Sequence, residues 1–119
     1  MKTLLTFLLV MTSPVVCAQT LPKVNSFSQQ GIFSNWVQNR CISKIADSES
    51  LKNDAMVSAA AWLEASNVSA ELFEEADKTI DNQLQEKIDG SLPGEYQVLK
   101  CTLIANSEAI NKIYDKGTK

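Results

Sequence analysis

An all-α fold is predicted for this chain by two observations. Apolar residues return every three or four positions through four stretches and one shorter one, and Ser, Asp, Gly and Pro punctuate the gaps between them. No sustained apolar–polar alternation marks a strand. The expected architecture is a compact bundle of four main helices plus a short C-terminal helix over residues 32–119, with one disulfide.

Two segments precede that domain. Lys2, the apolar run Leu4 to Met11 and the small-residue site Val16-Cys17-Ala18 have the order of a secretory signal peptide, cleaved after Ala18. Thr12, Ser13 and Pro14 interrupt the run before it reaches the roughly 20 apolar residues of a membrane span. Lipidation of Cys17 is disfavoured by the branched Val16 before it, where a small residue is needed. Residues 19–31 carry Pro22 with several Ser and Gln and no period, so they are expected to form an extended leader.

The first helix is expected from Phe33, with Trp36, Val37, Cys41 and Ile45 on one face. Asp47 and Ser48 supply a turn and an N-cap for a second helix, striped by Leu51, Ala55, Ala59 and Trp62 and ending near Ala65. Its small face, Ala55, Ser58, Ala59, Ala60 and Ala61, permits close helix approach and predicts a central position. Ser69 caps a third helix, expected to be the longest, with Leu72, Ala76, Ile80, Leu84 and Ile88 at steps of four. Gly90-Ser91-Leu92-Pro93-Gly94 stops it, because two glycines and a proline extend a helix only at high cost. Tyr96, Leu99, Leu103 and Ile104 resume the period, and Ser107-Glu108 opens the short last helix with Ile110, Ile113 and Tyr114.

Composition excludes much chemistry. The chain has no histidine, which removes Ser-His-Asp and Cys-His catalysis and imidazole-bound zinc, so no catalytic residue, metal ligand or cofactor is assigned. Glu71, Glu74, Glu75, Asp77 and Asp81 cluster on the third helix, but acidic residues near a helix start ordinarily stabilise it, and they lack the loop and spacing of a calcium-binding hand. A solvated acidic face is the expectation. The net charge of −3, more negative once Lys2 is cleaved away, opposes nucleic-acid binding and suits a basic protein partner or simple solubility. After signal removal no membrane segment is expected. Asn67-Val68-Ser69 matches a glycosylation sequon, yet Ser69 is already explained as a cap. Trp36 and Trp62 fall on apolar faces and are assigned to the core.

Export leaves two cysteines, Cys41 and Cys101, in an oxidising compartment, where pairing is the expectation and two buried free thiols the alternative. A bridge closing so long a loop stabilises by about 4 kcal/mol in the chain-entropy model.

Asn35-Trp36, Arg40-Cys41-Ile42, Asp54-Ala55, Ser58-Ala59, Trp62-Leu63-Glu64, Tyr96, Leu99-Lys100-Cys101 and Ser107, in that order and spacing, resemble the immunity proteins of type VI secretion amidase effectors, in the group paired with the fourth amidase effector family. The resemblance covers roughly Phe33 to Tyr114. It implies a small periplasmic helical protein, commonly a homodimer and not an enzyme, that inhibits a cognate peptidoglycan amidase. It also implies that the loop between the last long helices plugs the enzyme's cleft; on this chain that loop is Asp89, Gly90, Ser91, Leu92, Pro93, Gly94 and Glu95. The competing expectation is a periplasmic helical adaptor or chaperone for another protein client, whose sign would be an exposed apolar stripe.

Overall fold

The computed structural model describes residues 9–14 and 20–118. Cys17, the cleavage site at Ala18 and most of the segment assigned as a signal peptide lie outside the described residues. The described chain forms a 3-10 turn, Val24–Ser26, and five α-helices: α1 Gln29–Ile45, α2 Glu49–Glu64, α3 Ala70–Gln83, α4 Gln97–Ala105 and α5 Glu108–Lys116. It is all-helical, as the periodicity predicts.

Helix α1 begins inside the stretch predicted as leader. The Ser28 side chain accepts a hydrogen bond from the Gly31 N–H at 3.0 Å, so Gly31 sits in the first helical turn instead of before it. A capping serine surrounded by glutamines carries no apolar period, which is why the start is hidden in the pattern. Gln29 then ties this end to the α2–α3 connection: it donates to the Ala65 carbonyl at 3.2 Å and accepts from the Asn67 N–H at 2.8 Å. Phe27 packs edge-on against Trp62, with ring centroids 5.1 Å apart.

The central helix is α1, not α2. It buries Ile32, Phe33, Trp36, Val37 and Cys41 and packs against α2, α3, α4 and α5. Helix α2, capped by Ser48 as predicted, buries only Ala55 and Ala59, one turn apart, against α1. The small face allows the close approach foreseen, but on one side only, leaving Ala60 and Ala61 in water. Phe73 of α3 meets Phe33 at 5.1 Å and Trp36 at 4.8 Å, and Tyr114 of α5 meets Phe33 at 5.8 Å, completing the aromatic core.

Helix α3 is shorter than its pattern predicts. It has 14 residues against 17 in α1 and ends at Gln83, because Ile80 is its last residue in the sealed core. Ser69 occupies the N-cap position without a side-chain capping bond. Leu84 and Ile88 therefore belong to a connection, residues 84–96, longer than the predicted 89–95 loop.

Helix α4 is turned relative to its predicted face. Cys101, Ile104, Ala105 and Lys100 are buried, whereas Leu99 and Leu103 are 44% and 51% exposed. The Cys41–Cys101 disulfide, with Cα atoms 5.4 Å apart in the ordinary range, fixes that rotation. Ser34 adds a hydrogen bond to the Ala105 carbonyl at 2.8 Å. Serine 107 caps α5 through the Ile110 N–H at 3.3 Å.

Candidate functional site

Three acidic residues of α3, Glu75, Asp77 and Asp81, are structural, while Glu71 and Glu74 stand exposed on the solvated face. Asp77 accepts from Arg40 at 2.7 Å and lies 3.2 Å from Lys44, which also reaches Asp81 at 2.8 Å; Glu75 pairs with Lys116. These pairs clip α3 to α1 and to α5. Burial alone raises the Asp77 pKa, but hydrogen bonds and charge from Arg40 and Lys44 outweigh it and hold the carboxyl below its ordinary value. Asp77 is thereby committed to its two cations and is a poor proton donor. Among the described residues no group of acidic or cysteine side chains is placed to hold a metal ion.

The other candidate is the connection between α3 and α4. Its seven predicted site residues, Asp89 to Glu95, run contiguously along one loop, and all seven stand at the surface, with Ile88 before them half-buried. Leu92, the one large apolar side chain of this loop tip, is 72% exposed on a constrained backbone. The constraint comes from Tyr96. Its hydroxyl donates to the Leu92 carbonyl at 2.6 Å and accepts from the Leu92 N–H at 2.9 Å. Its ring lies over Gly90, where a Cβ would overlap it.

At the root of the loop, the buried Lys100 donates from Nζ to the Leu84 carbonyl at 3.1 Å, closing the C-terminal end of α3 with a positive charge. Lys100 is followed by the bridged Cys101, so loop root, α4 and α1 are joined through adjacent residues. A cavity of about 390 Å³ lies under the loop, bordered by Leu84, Asp89, Glu95, Gln97 and Lys100. The buried Gln97 Oε1 there has no hydrogen-bond partner within the chain.

Neither Tyr96 nor Lys100 is assigned a loop role by the sequence. Tyr96 falls on an apolar period and passes for a core residue; a lysine on the buried face beside a cysteine is the one signal that might have been weighed. A separate groove of about 480 Å³ runs between α2 and α3, floored by Trp36 and Phe73 and edged by Met56, Ala60 and Leu63. Met56 and Leu63 are exposed at its edge, and Val57 is exposed elsewhere on α2, so α2 does carry exposed apolar side chains that the periodicity does not reveal.

Fold and loop together define a small helical domain, stapled by one disulfide, that presents a braced loop with an apolar tip. Residues 31–114 match the family model described as type VI secretion system amidase immunity protein. The chain belongs to that family. In structure it is similar to a chain of the complex of the effector Tae4 from Salmonella typhimurium with the immunity protein Tai4 from Enterobacter cloacae: TM-score 0.78 and 66% identity, over 80% of this chain and 98% of that one. A chain of the Tae4–Tai4 effector–immunity complex from Enterobacter cloacae gives the same TM-score of 0.78 and identity of 66%, over 80% and 97%. The Salmonella typhimurium Tae4–Tai4 system shares the fold at TM-score 0.72 and 24% identity, over 82% and 96%. Comparison with curated proteins gives no match.

Proposed function

We propose that this chain is an exported, periplasmic inhibitor of a type VI secretion peptidoglycan amidase, and that it acts by seating the segment Asp89 to Glu95 in the enzyme's active-site cleft. Family membership supports the class of partner, and the similar structures are complexes that pair Tai4 with the effector Tae4. The observation that carries the mode of action is the braced loop with Leu92 at 72% exposure on its tip. Such a loop enters a cleft without paying again for its own ordering. Leu92 buries apolar surface, Ser91 offers a hydroxyl, and Glu95 faces a basic rim. The chain performs no chemistry of its own, needs no cofactor, and works as a homodimer.

The test is calorimetric titration of Enterobacter cloacae Tae4 against wild type and Leu92→Asp, alongside inhibition of peptidoglycan cleavage. Leu92→Asp is expected to weaken binding by about 2 kcal/mol or more, the hot-spot scale, with an unchanged helical circular dichroism spectrum. Undiminished inhibition after residues 91–93 are all replaced would move the function to another surface.

A further inference from the structure

We infer that Tyr96 is a positioning residue for effector binding: its phenol braces residues 90–96 so that the tip is shaped before a partner arrives. The inference rests on the loop reading above and adds a residue which that reading does not contain. Three observations carry it.

The first is backbone strain. Tyr96 stands at φ 55°, ψ 36°, and is the single non-glycine residue with positive φ among the described residues. A bulky side chain in the left-handed region is costly where glycine would be free. Its retention there calls for a use of the side chain.

The second is the double hydrogen bond. One hydroxyl both donates to the Leu92 carbonyl and accepts from the Leu92 N–H, at 2.6 and 2.9 Å, which is the donor and acceptor capacity of a phenol used on a single residue. Leu92 thereby has both backbone polar groups satisfied within the loop. Its side chain, not its backbone, is what remains for a partner.

The third is the fit of Gly90. The phenol ring fills the space a Cβ at Gly90 would occupy, so the glycine is required by the ring and not by its own dihedral angles. The brace is also grounded. Tyr96 is the N-cap residue of α4, whose Lys100 holds the Leu84 carbonyl and whose Cys101 is bridged to α1. Tip, root and scaffold thus move as one piece, which lowers the ordering cost of binding.

The experiment compares Tyr96→Phe, Gly90→Ala and Leu92→Asp, each titrated against Enterobacter cloacae Tae4, with melting temperature and hydrogen exchange of the Leu92 amide measured on the free protein. Tyr96→Phe removes the hydroxyl and keeps the ring. It is expected to weaken binding about tenfold, the scale of two modest hydrogen bonds lost from a preorganised loop, and to speed Leu92 exchange at least about tenfold while the melting temperature holds. Gly90→Ala displaces the ring and is expected to reproduce both changes, so that the inference does not depend on one variant. In the Leu92→Asp background, Tyr96→Phe is expected to cost less than it does alone, because a brace acts through the tip it positions. Weakened binding by Leu92→Asp with wild-type affinity in Tyr96→Phe overturns the role of Tyr96 and leaves the loop reading standing. Undiminished binding by Leu92→Asp overturns the loop reading and this inference with it. An affinity loss in Tyr96→Phe matched by an equal loss of global stability also overturns it, by making Tyr96 a residue of the fold.

Discussion

Asp77 shows how one side chain ties charge to stability. Because Arg40 and Lys44 hold its carboxyl below the ordinary value, the folded chain keeps it ionised at a pH where the unfolded chain takes up a proton. The stabilisation is therefore complete above the ordinary carboxylate range near pH 4 and fades as pH falls through the lowered folded value. The side chains of Arg40 and Asp77 are 33% and 30% exposed, so solvent and salt screen the pair. Asp77→Asn is expected to cost less than about 1 kcal/mol at neutral pH and to flatten the acid limb of stability. Urea denaturation at a series of pH values checks both. Lys100 is the contrasting case, a buried ammonium with a carbonyl for its acceptor. Lys100→Met keeps the stem and deprives the Leu84 carbonyl of its donor, with an expected loss of about 1–2 kcal/mol by denaturation and faster amide exchange over residues 84–90.

At the scale of elements, existence was legible and orientation was not. Ser48 and Ser107 announce α2 and α5 because a capping serine before a periodic run is a local signal, and both make their capping bonds. What periodicity cannot supply is the partner that chooses a face. On α4 the apolar residues Leu99, Leu103 and Ile104 leave two rotations open, and the bridge from Cys101 to Cys41 selects the one that exposes Leu99 and Leu103. The end of α3 fails for a related reason. Leu84 and Ile88 continue the four-residue step after Ile80 has met the last of the sealed core, so the pattern outlives the packing that would support it. The candidate loop was located by its Gly and Pro, but the Tyr96 brace pairs groups four residues apart through a side chain, and no periodicity reports that. The disulfide gives the test at this scale. Cys41→Ser is expected to lower stability by about 2–5 kcal/mol in guanidine titration and, by freeing α4, to loosen the loop it carries.

For the whole molecule, the central question is what the apolar surface left outside the core does. The alanine face of α2 is used inside the monomer, where Ala55 and Ala59 meet α1, and so is not free for a second copy. Beside that face Met56 and Leu63, each 45% exposed, edge the groove floored by Trp36 and Phe73, and Val57 is 69% exposed on the outer side of the helix. An apolar groove with exposed Met56 and Leu63 on so small a domain favours association, and a closed two-fold arrangement would cover it on both copies at once. Multi-angle light scattering of residues 19–119 at micromolar concentration is expected to give twice the mass of one chain. Met56→Asp places a charge in the middle of that surface and is expected to shift the mass toward that of a single chain while the melting temperature is retained, since Met56 lies outside the sealed core. A single-chain mass for wild type across the concentration range ends the homodimer proposal, and a persistent dimer in Met56→Asp moves the contact away from α2. Neither result touches the loop, which is built from α3, α4 and the bridge to α1, so the proposed inhibition and the proposed association are tested separately on one scaffold.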